Sequence, residues 1–85
     1  MERIIIDVRE PFEYEMGHVK GAINIPLSKL MSGSKKLNGN SNDTEIILYC
    51  NSGSRSGMAT NILKSMGYTN VINGINKNQV IAKYN

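Results

Sequence analysis

Two stretches of the chain carry apolar side chains at consecutive positions rather than at every third or fourth. They are Arg3-Ile4-Ile5-Ile6-Asp7-Val8 and Glu45-Ile46-Ile47-Leu48-Tyr49. Runs of this kind, rich in β-branched residues, predict strands buried on both faces, as in the interior of a parallel sheet. Between them, Glu10-Pro11-Phe12-Glu13-Tyr14 places a proline at a first helical position with acids in the first turn, which predicts a short helix. Gly17-His18-Val19-Lys20-Gly21 reads as a turn. Ala22-Ile23-Asn24-Ile25 reads as a short strand closed by Pro26.

A helix beginning near Ser28-Lys29-Leu30-Met31, capped by Ser28, is expected next. Residues 32–44 are mostly Ser, Gly, Asn and Lys, and they predict an exposed loop or a ragged helix end. After the second apolar run, Cys50 to Arg55 is a polar, glycine-containing loop. A helix from Ser56 to Met66 would turn Met58, Ile62, Leu63 and Met66 to the core, with Gly67 as its C-terminal cap. Tyr68-Thr69-Asn70-Val71-Ile72 is the last expected strand, and residues 79–84 suggest a terminal helix. The alternation of strand and helix predicts an α/β fold, a mainly parallel sheet with helices on both faces.

With 85 residues the chain is expected to form a single domain over residues 1–85. It has no 18-residue apolar run, so no membrane span is expected. The start Met1-Glu2-Arg3-Ile4 does not read as a signal peptide. A cytoplasmic location follows, or a periplasmic one if a leader has been removed. The net charge is +3, unevenly spread. Glu2, Asp7, Glu10, Glu13 and Glu15 crowd the first 15 residues, whereas residues 46–85 hold Arg55, Lys64, Lys77 and Lys83 and no acid. The cysteine-bearing half thus favours small anions and anionic partners. Without a run of Lys or Arg or interleaved aromatics, nucleic-acid binding is not expected.

The single cysteine excludes a disulfide within the chain and argues against a cysteine-based metal cluster. Cys50 lies where a buried strand ends and before a helix begins, the position at which open parallel sheets bind ligands. Loop amides and a helix start favour an anion there, so Cys50 is expected to be an activated nucleophile with a depressed pKa. In the loop Cys50-Asn51-Ser52-Gly53-Ser54-Arg55-Ser56, Gly53 permits a tight curl. Arg55 is expected to pair with an incoming anion, the alternative being a structural salt bridge. Ser52 and Ser54 read as loop formers and Ser56 as a helix cap. His18, the only histidine, reads as structural.

Three segments, Asp7-Val8-Arg9-Glu10, Gly17-His18-Val19-Lys20-Gly21-Ala22-Ile23-Asn24-Ile25-Pro26, and Cys50-x-x-Gly53-x-Arg55-Ser56, together resemble the rhodanese family. The nearest flavour is the small single-domain, phage-shock type, and the resemblance runs from about residue 4 to residue 75. It implies a rhodanese-like sheet, abbreviated at its N-terminus. It implies that Cys50 takes the outer sulfur of thiosulfate as a persulfide, cradled by the amides of residues 51–56, and passes it to cyanide or a cellular thiol. A protein sulfur donor or acceptor is a further implied partner, and no metal or organic cofactor is implied. Asp7 and Arg9 are expected to hold the walls of the site, with direct substrate contact by Arg9 as the alternative.

The sequence departs from the family pattern in having Asn51 where arginine is common and in lacking the strand and helix before Asp7. Much of the helix ahead of the cysteine strand is also missing, and Gly74 stands alone where a glycine pair and tryptophan are usual. One rival is a phosphatase or arsenate reductase on the same scaffold. That class has five residues between cysteine and arginine, but here only four separate Cys50 from Arg55. The other rivals are a partner-binding module and a non-enzymatic sulfur relay.

Overall fold

The computed structural model describes residues 3–33, 35–37 and 40–84; Met1, Glu2, Ser34, Asn38, Gly39 and Asn85 lie outside the described residues. Four strands, β1 (Arg3–Asp7), β2 (Ile23–Asn24), β3 (Glu45–Cys50) and β4 (Val71–Asn76), form one sheet in the order β2-β1-β3-β4. All three pairings are parallel. The two isoleucine-rich runs are therefore neighbours at the centre of the sheet, with Ile4 opposite Ile46 and Ile6 opposite Leu48. Their unbroken apolar character follows from burial on both faces.

Successive side chains along a strand alternate in face, and each face has its own core. On one side, Ile6, Val8, Ile46, Leu48 and Cys50 pack with Leu30 of α2 (Leu27–Met31) and with Ala59 and Leu63 of α3 (Ser54–Ser65). On the other side, Ile47 and Tyr49 pack with Val19, Ala22 and Val80 of α4 (Lys77–Tyr84). Helices thus cover both faces, as expected. The short α1 (Pro11–Glu15) begins with Pro11, and the Glu13 carboxylate accepts the Glu10 amide at 2.9 Å. That closure satisfies one of the amides a helix start leaves open.

The structure corrects the expected elements in several places. Helix α3 starts at Ser54 rather than Ser56, with Gly53 at φ +91° as its N-cap. Ser56 is therefore no cap; it is fully buried in the first turn of α3. Met58 and Met66 are each 51% exposed, and the buried side of α3 is Ser56, Ala59, Thr60 and Leu63. Of the expected core positions only Leu63 is sealed. Small residues face the sheet because the helix lies close to it, and long methionines would not fit beneath. Pro26, not Ser28, occupies the cap position of α2. Within the expected loop 32–44, Lys35–Leu37 makes a 3-10 turn that buries Leu37.

The last strand also lies later than expected, at Val71–Asn76, and α4 follows it directly. Its register against β3 slips between Leu48 and Tyr49, where Asn73 pairs with Leu48 but Ile75 with Tyr49. Gly74 is the extra residue of this bulge. Only glycine fits there, since a Cβ would stand 2.6 Å from Val80 Cγ2 and 3.1 Å from the Leu48 carbonyl oxygen. Ile75 takes φ +76°, a left-handed conformation that costs a β-branched residue about 1–3 kcal/mol.

The assignment of α3's buried face makes a direct prediction. Leu63→Ala should destabilise the protein by about 2–5 kcal/mol, whereas Met66→Ala should cost under about 1 kcal/mol. Urea unfolding of the two variants checks it, and equal losses would place Met66 back in the core.

Candidate active site

The site is built at the carboxyl end of the two central strands. Asp7 closes β1 with its side chain fully buried. Its carboxylate accepts from the Arg9 amide at 2.9 Å, from Arg9 Nε at 2.9 Å and Nη2 at 2.6 Å, and from the Tyr49 hydroxyl at 2.9 Å. Arg9 Nη2 also donates to the Gly17 carbonyl at 2.8 Å, and Nη1 reaches Asn51 Oδ1 at 3.4 Å. Hydrogen bonding to Asp7 raises the Arg9 pKa further, against the opposing effect of burial. Burial first, then the bond to Asp7, pushes the Tyr49 phenol up to about 12, although the Val19 amide donating to it acts in the opposite sense. Asp7 and Arg9 are thus bound to each other and, through Tyr49, to β3, and Arg9 also presents one nitrogen to the residue after the cysteine.

Cys50 is the last residue of β3 and its side chain is almost wholly enclosed. The loop curls back so that the Gly53 amide donates to Sγ at 3.1 Å and the Ser56 amide at 3.4 Å. The left-handed Gly53 makes that return possible, and a side chain there would press on Ile75 Cγ2 at 3.3 Å. Burial pushes the Cys50 thiol up. The Ser56 hydroxyl and the amides of Ser56, Ser52 and Gly53 outweigh it, and the pKa falls from about 9 to about 7. The loop thus favours the thiolate, the form that acts as a nucleophile. Ser52 and Ser54 are exposed; Ser52 lies in the loop, where its amide pulls on the thiol, whereas Ser54 is the first residue of α3 rather than a loop former.

Asn73, which sequence reasoning did not single out, ties this loop to the bulge of β4. Its Nδ2 donates to the Gly53 carbonyl at 3.1 Å and its Oδ1 accepts from the Ile75 amide at 3.0 Å. Those two bonds fix which end of the amide is oxygen. The 2.6 Å contact between Ser56 Oγ and Asn73 Oδ1 is therefore made with the serine's only proton. Towards Cys50 Sγ, 3.4 Å away, the same hydroxyl offers a lone pair while the thiol is protonated. To favour the thiolate, as its lowering of the Cys50 pKa requires, the hydroxyl must donate to Sγ in place of Asn73.

Arg55 does not stand free. Its Nη1 and Nη2 donate to the two oxygens of Glu13 at 2.7 and 3.2 Å, clasping α1 to the start of α3. Asn51 Nδ2 donates to the same carboxylate at 3.0 Å. The bonds from Arg55, then from the Glu10 amide, hold the Glu13 carboxyl down at about 2. Glu13 was missed as a site residue. It is this acid of α1 that reaches the cysteine loop. His18 is structural, with Nδ1 2.8 Å from the Tyr14 carbonyl and its ring stacked on Tyr14 at 3.6 Å. Among the described residues no group of three or more His, Cys, Asp or Glu is placed to hold a metal ion.

The rhodanese-like domain model matches residues 1–76. Over 68 residues the chain is 48% identical to a thiosulfate sulfurtransferase of Escherichia coli, covering 80% of this chain and 64% of that protein. It is 34% identical to a thiosulfate:glutathione sulfurtransferase of Saccharomyces cerevisiae, covering 79% of this chain and 55% of that one. The chain therefore spans less than two thirds of the length of either. Among solved structures, a rhodanese with anions from E. coli superposes with a TM-score of 0.80 at 39% identity, over 91% of this chain and 89% of that one. A human single-domain sulfurtransferase gives 0.74 at 26% identity, over 99% and 85%.

The depressed thiol predicts a stability profile. A folded state that ionises at about 7 binds fewer protons than an unfolded one that ionises near 9. Stability should then rise with pH through that window, be fully gained above the unfolded value, and be lost as pH falls through the folded one. Urea midpoints measured across the window should climb for the parent and stay flat for Cys50→Ser. Parallel profiles would show that the loop does not stabilise the thiolate.

Proposed function

The chain belongs to the rhodanese-like domain family, and from that membership we propose that it is a sulfurtransferase carrying sulfur as a persulfide on Cys50. The observation that carries the reading is the convergence of the Gly53 and Ser56 amides on Cys50 Sγ at the end of a buried strand. In the first half-reaction the Cys50 thiolate attacks the outer sulfur of thiosulfate. The sulfur–sulfur bond of the donor breaks, sulfite leaves with the bonding pair, and the enzyme holds Cys50–S–S⁻. In the second, a thiolate or cyanide attacks the outer sulfur, and Cys50 leaves again as a thiolate. No proton need be removed by a general base, since the thiol ionises at about 7.

The same donors suit both states of the sulfur. The Gly53 and Ser56 amides, fixed by the fold, lie in place before charge arrives, and such groups stabilise an anion without reorganising. Arg55 spends two of its five N–H groups on Glu13, which leaves others for an incoming oxyanion. Glu13 thereby aims the guanidinium while cancelling part of its charge. With Asn51 in place of a second cation, thiosulfate is held by fewer charges than an arginine there would supply. Thiosulfate is the proposed donor because two of the similar proteins, 48% and 34% identical over the matched stretch, are named for it. Donation from a persulfidated protein is the alternative source.

Incubation with thiosulfate should add one sulfur atom to Cys50, seen by mass spectrometry and removed by cyanide as thiocyanate. Cys50→Ser should lose thiocyanate formation while keeping its fold. Arg55→Ala should raise the thiosulfate concentration at half-maximal rate about tenfold or more, the loss of one charge-assisted contact of about 1.5–3 kcal/mol. Aryl phosphates should not be hydrolysed, because the four-residue span between Cys50 and Arg55 makes a loop too small for a tetrahedral phosphate. Phosphatase activity that vanishes in Cys50→Ser would overturn the assignment.

A further inference from the structure

We propose that the cleft beside Asn51, with Lys77 as its cation, binds a carboxylate of the thiol that accepts sulfur from Cys50; this rests on the sulfurtransferase reading above. The cleft has a volume of about 280 Å³ and is lined by Arg9, Asn51, Asn76, Lys77 and Asn78. A second cleft of the same size adjoins it, sharing Arg9, Asn51 and Lys77 and reaching Gly17. Lys77 opens α4, and its Nζ lies 3.3 Å from where a Gly17 Cβ would stand. A larger residue at position 17 would therefore crowd the ammonium, and glycine leaves it room.

The charges around this opening decide its sign. Arg9 is neutralised by Asp7 at 2.6 Å, and Arg55 by Glu13 at 2.7 Å. Both Glu13 oxygens are occupied, by Arg55, by Asn51 and by the Glu10 amide. Lys77 has no ion-pair or hydrogen-bond partner among the described residues, and no acid occurs between residues 46 and 85. One uncancelled positive charge thus faces a cleft furnished with asparagines; Asn51 already donates to Glu13, while Asn76, whose Oδ1 accepts the Gln79 amide, and Asn78 have side-chain N–H groups that can donate to an oxyanion.

The placement selects the acceptor over the donor. In thiosulfate the sulfonate sits one sulfur–sulfur bond, about 2 Å, from the atom that must touch Sγ. That holds it within the loop, among the Gly53 and Ser56 amides and Arg55. The Lys77 cleft lies beyond Asn51, on the side of Arg9 and α4, while Sγ packs on the α3 side of the sheet. An anion seated there must be tethered several bonds from the reacting sulfur, as the carboxylate of a small carboxylated thiol is. In the transfer the acceptor thiolate RS⁻ attacks the outer sulfur of Cys50–S–S⁻. The Cys50 sulfur–sulfur bond breaks, and RS–S⁻ and the Cys50 thiolate result.

Protein first loaded from thiosulfate should be mixed with mercaptosuccinate, with 2-mercaptoethanol or with cyanide, and loss of the added sulfur followed by mass. Lys77→Gln should slow transfer to mercaptosuccinate about tenfold, the size of one charge-assisted contact. It should leave 2-mercaptoethanol, cyanide and the loading step unchanged, and Lys77→Arg should restore the rate. Equal slowing of all acceptors, or slowing of loading alone, would overturn the proposal. Failure of the parent to load would instead defeat the sulfurtransferase reading. Titration of the resting protein with unreactive (methylthio)succinate, read at the Asn51, Asn76, Lys77 and Asn78 amides by NMR, then decides the cleft separately. Saturable shifts weakened about tenfold in Lys77→Gln sustain the site, and a flat titration removes it.

Discussion

A fully buried carboxylate governs this molecule. Asp7 ends β1 in the middle of the sheet, where an unpaired charge is intolerable. Every partner it recruits belongs to a different part of the site: Arg9 from the following loop, Tyr49 from β3 and, through Tyr49, the Val19 amide. Asn24 of β2 adds bonds to the Asp7 and Arg9 carbonyls. The ends of three strands are thereby locked at one level. Removing one member would strand the rest as buried unpaired groups, a loss of about 3–5 kcal/mol. The cysteine, one residue beyond Tyr49, inherits its position from that lock.

On this platform the active loop is held from two sides by different physics. From the β4 side, Asn73 uses both ends of a neutral amide to fix Gly53, Ser56 and the strained Ile75. From the α1 side, the hold is an ion pair, Arg55 with Glu13, partly open to solvent. The first is rigid and sets the geometry of the sulfur's donors. The second, made of two bonds that solvent can reach, can pass an Arg55 N–H from Glu13 to an arriving anion. A sulfur site needs both: fixed amides for the atom that stays and a movable arginine for the anion that arrives and leaves.

What could be read from the sequence divides along the same physical lines. Strands β1 and β3 announce themselves because burial on both faces demands unbroken apolar runs. The loop after Cys50 is legible because small residues, a glycine and an arginine crowd a strand-to-helix turn. Helix α3 hid its true face, since its buried positions are Ser56, Ala59, Thr60 and Leu63 while Met58 and Met66 point outwards. Strand β4 was displaced because its second half, Asn73-Gly74-Ile75-Asn76, has the composition of a turn and is in fact a bulge. Glu13 meeting Arg55, and Asn73 meeting Gly53, depend on strand register and crossover, and no local pattern encodes them.

The all-parallel sheet has a bearing on how the chain reaches this state. Its strands join only across long stretches of sequence: Ile6 to Ile23, Ile46 to Val71, and Arg3 to Glu45 for the central pair. Among the described residues no hairpin is present to nucleate the sheet, so each pairing must close a long loop before any ladder bond repays the lost freedom. Until that happens, two isoleucine-rich segments drift with their edges bare, each as ready to join a neighbouring chain as its own partner. The feature that makes the core dry and the thiol well placed is also what makes crowded, unchaperoned refolding hazardous for this protein.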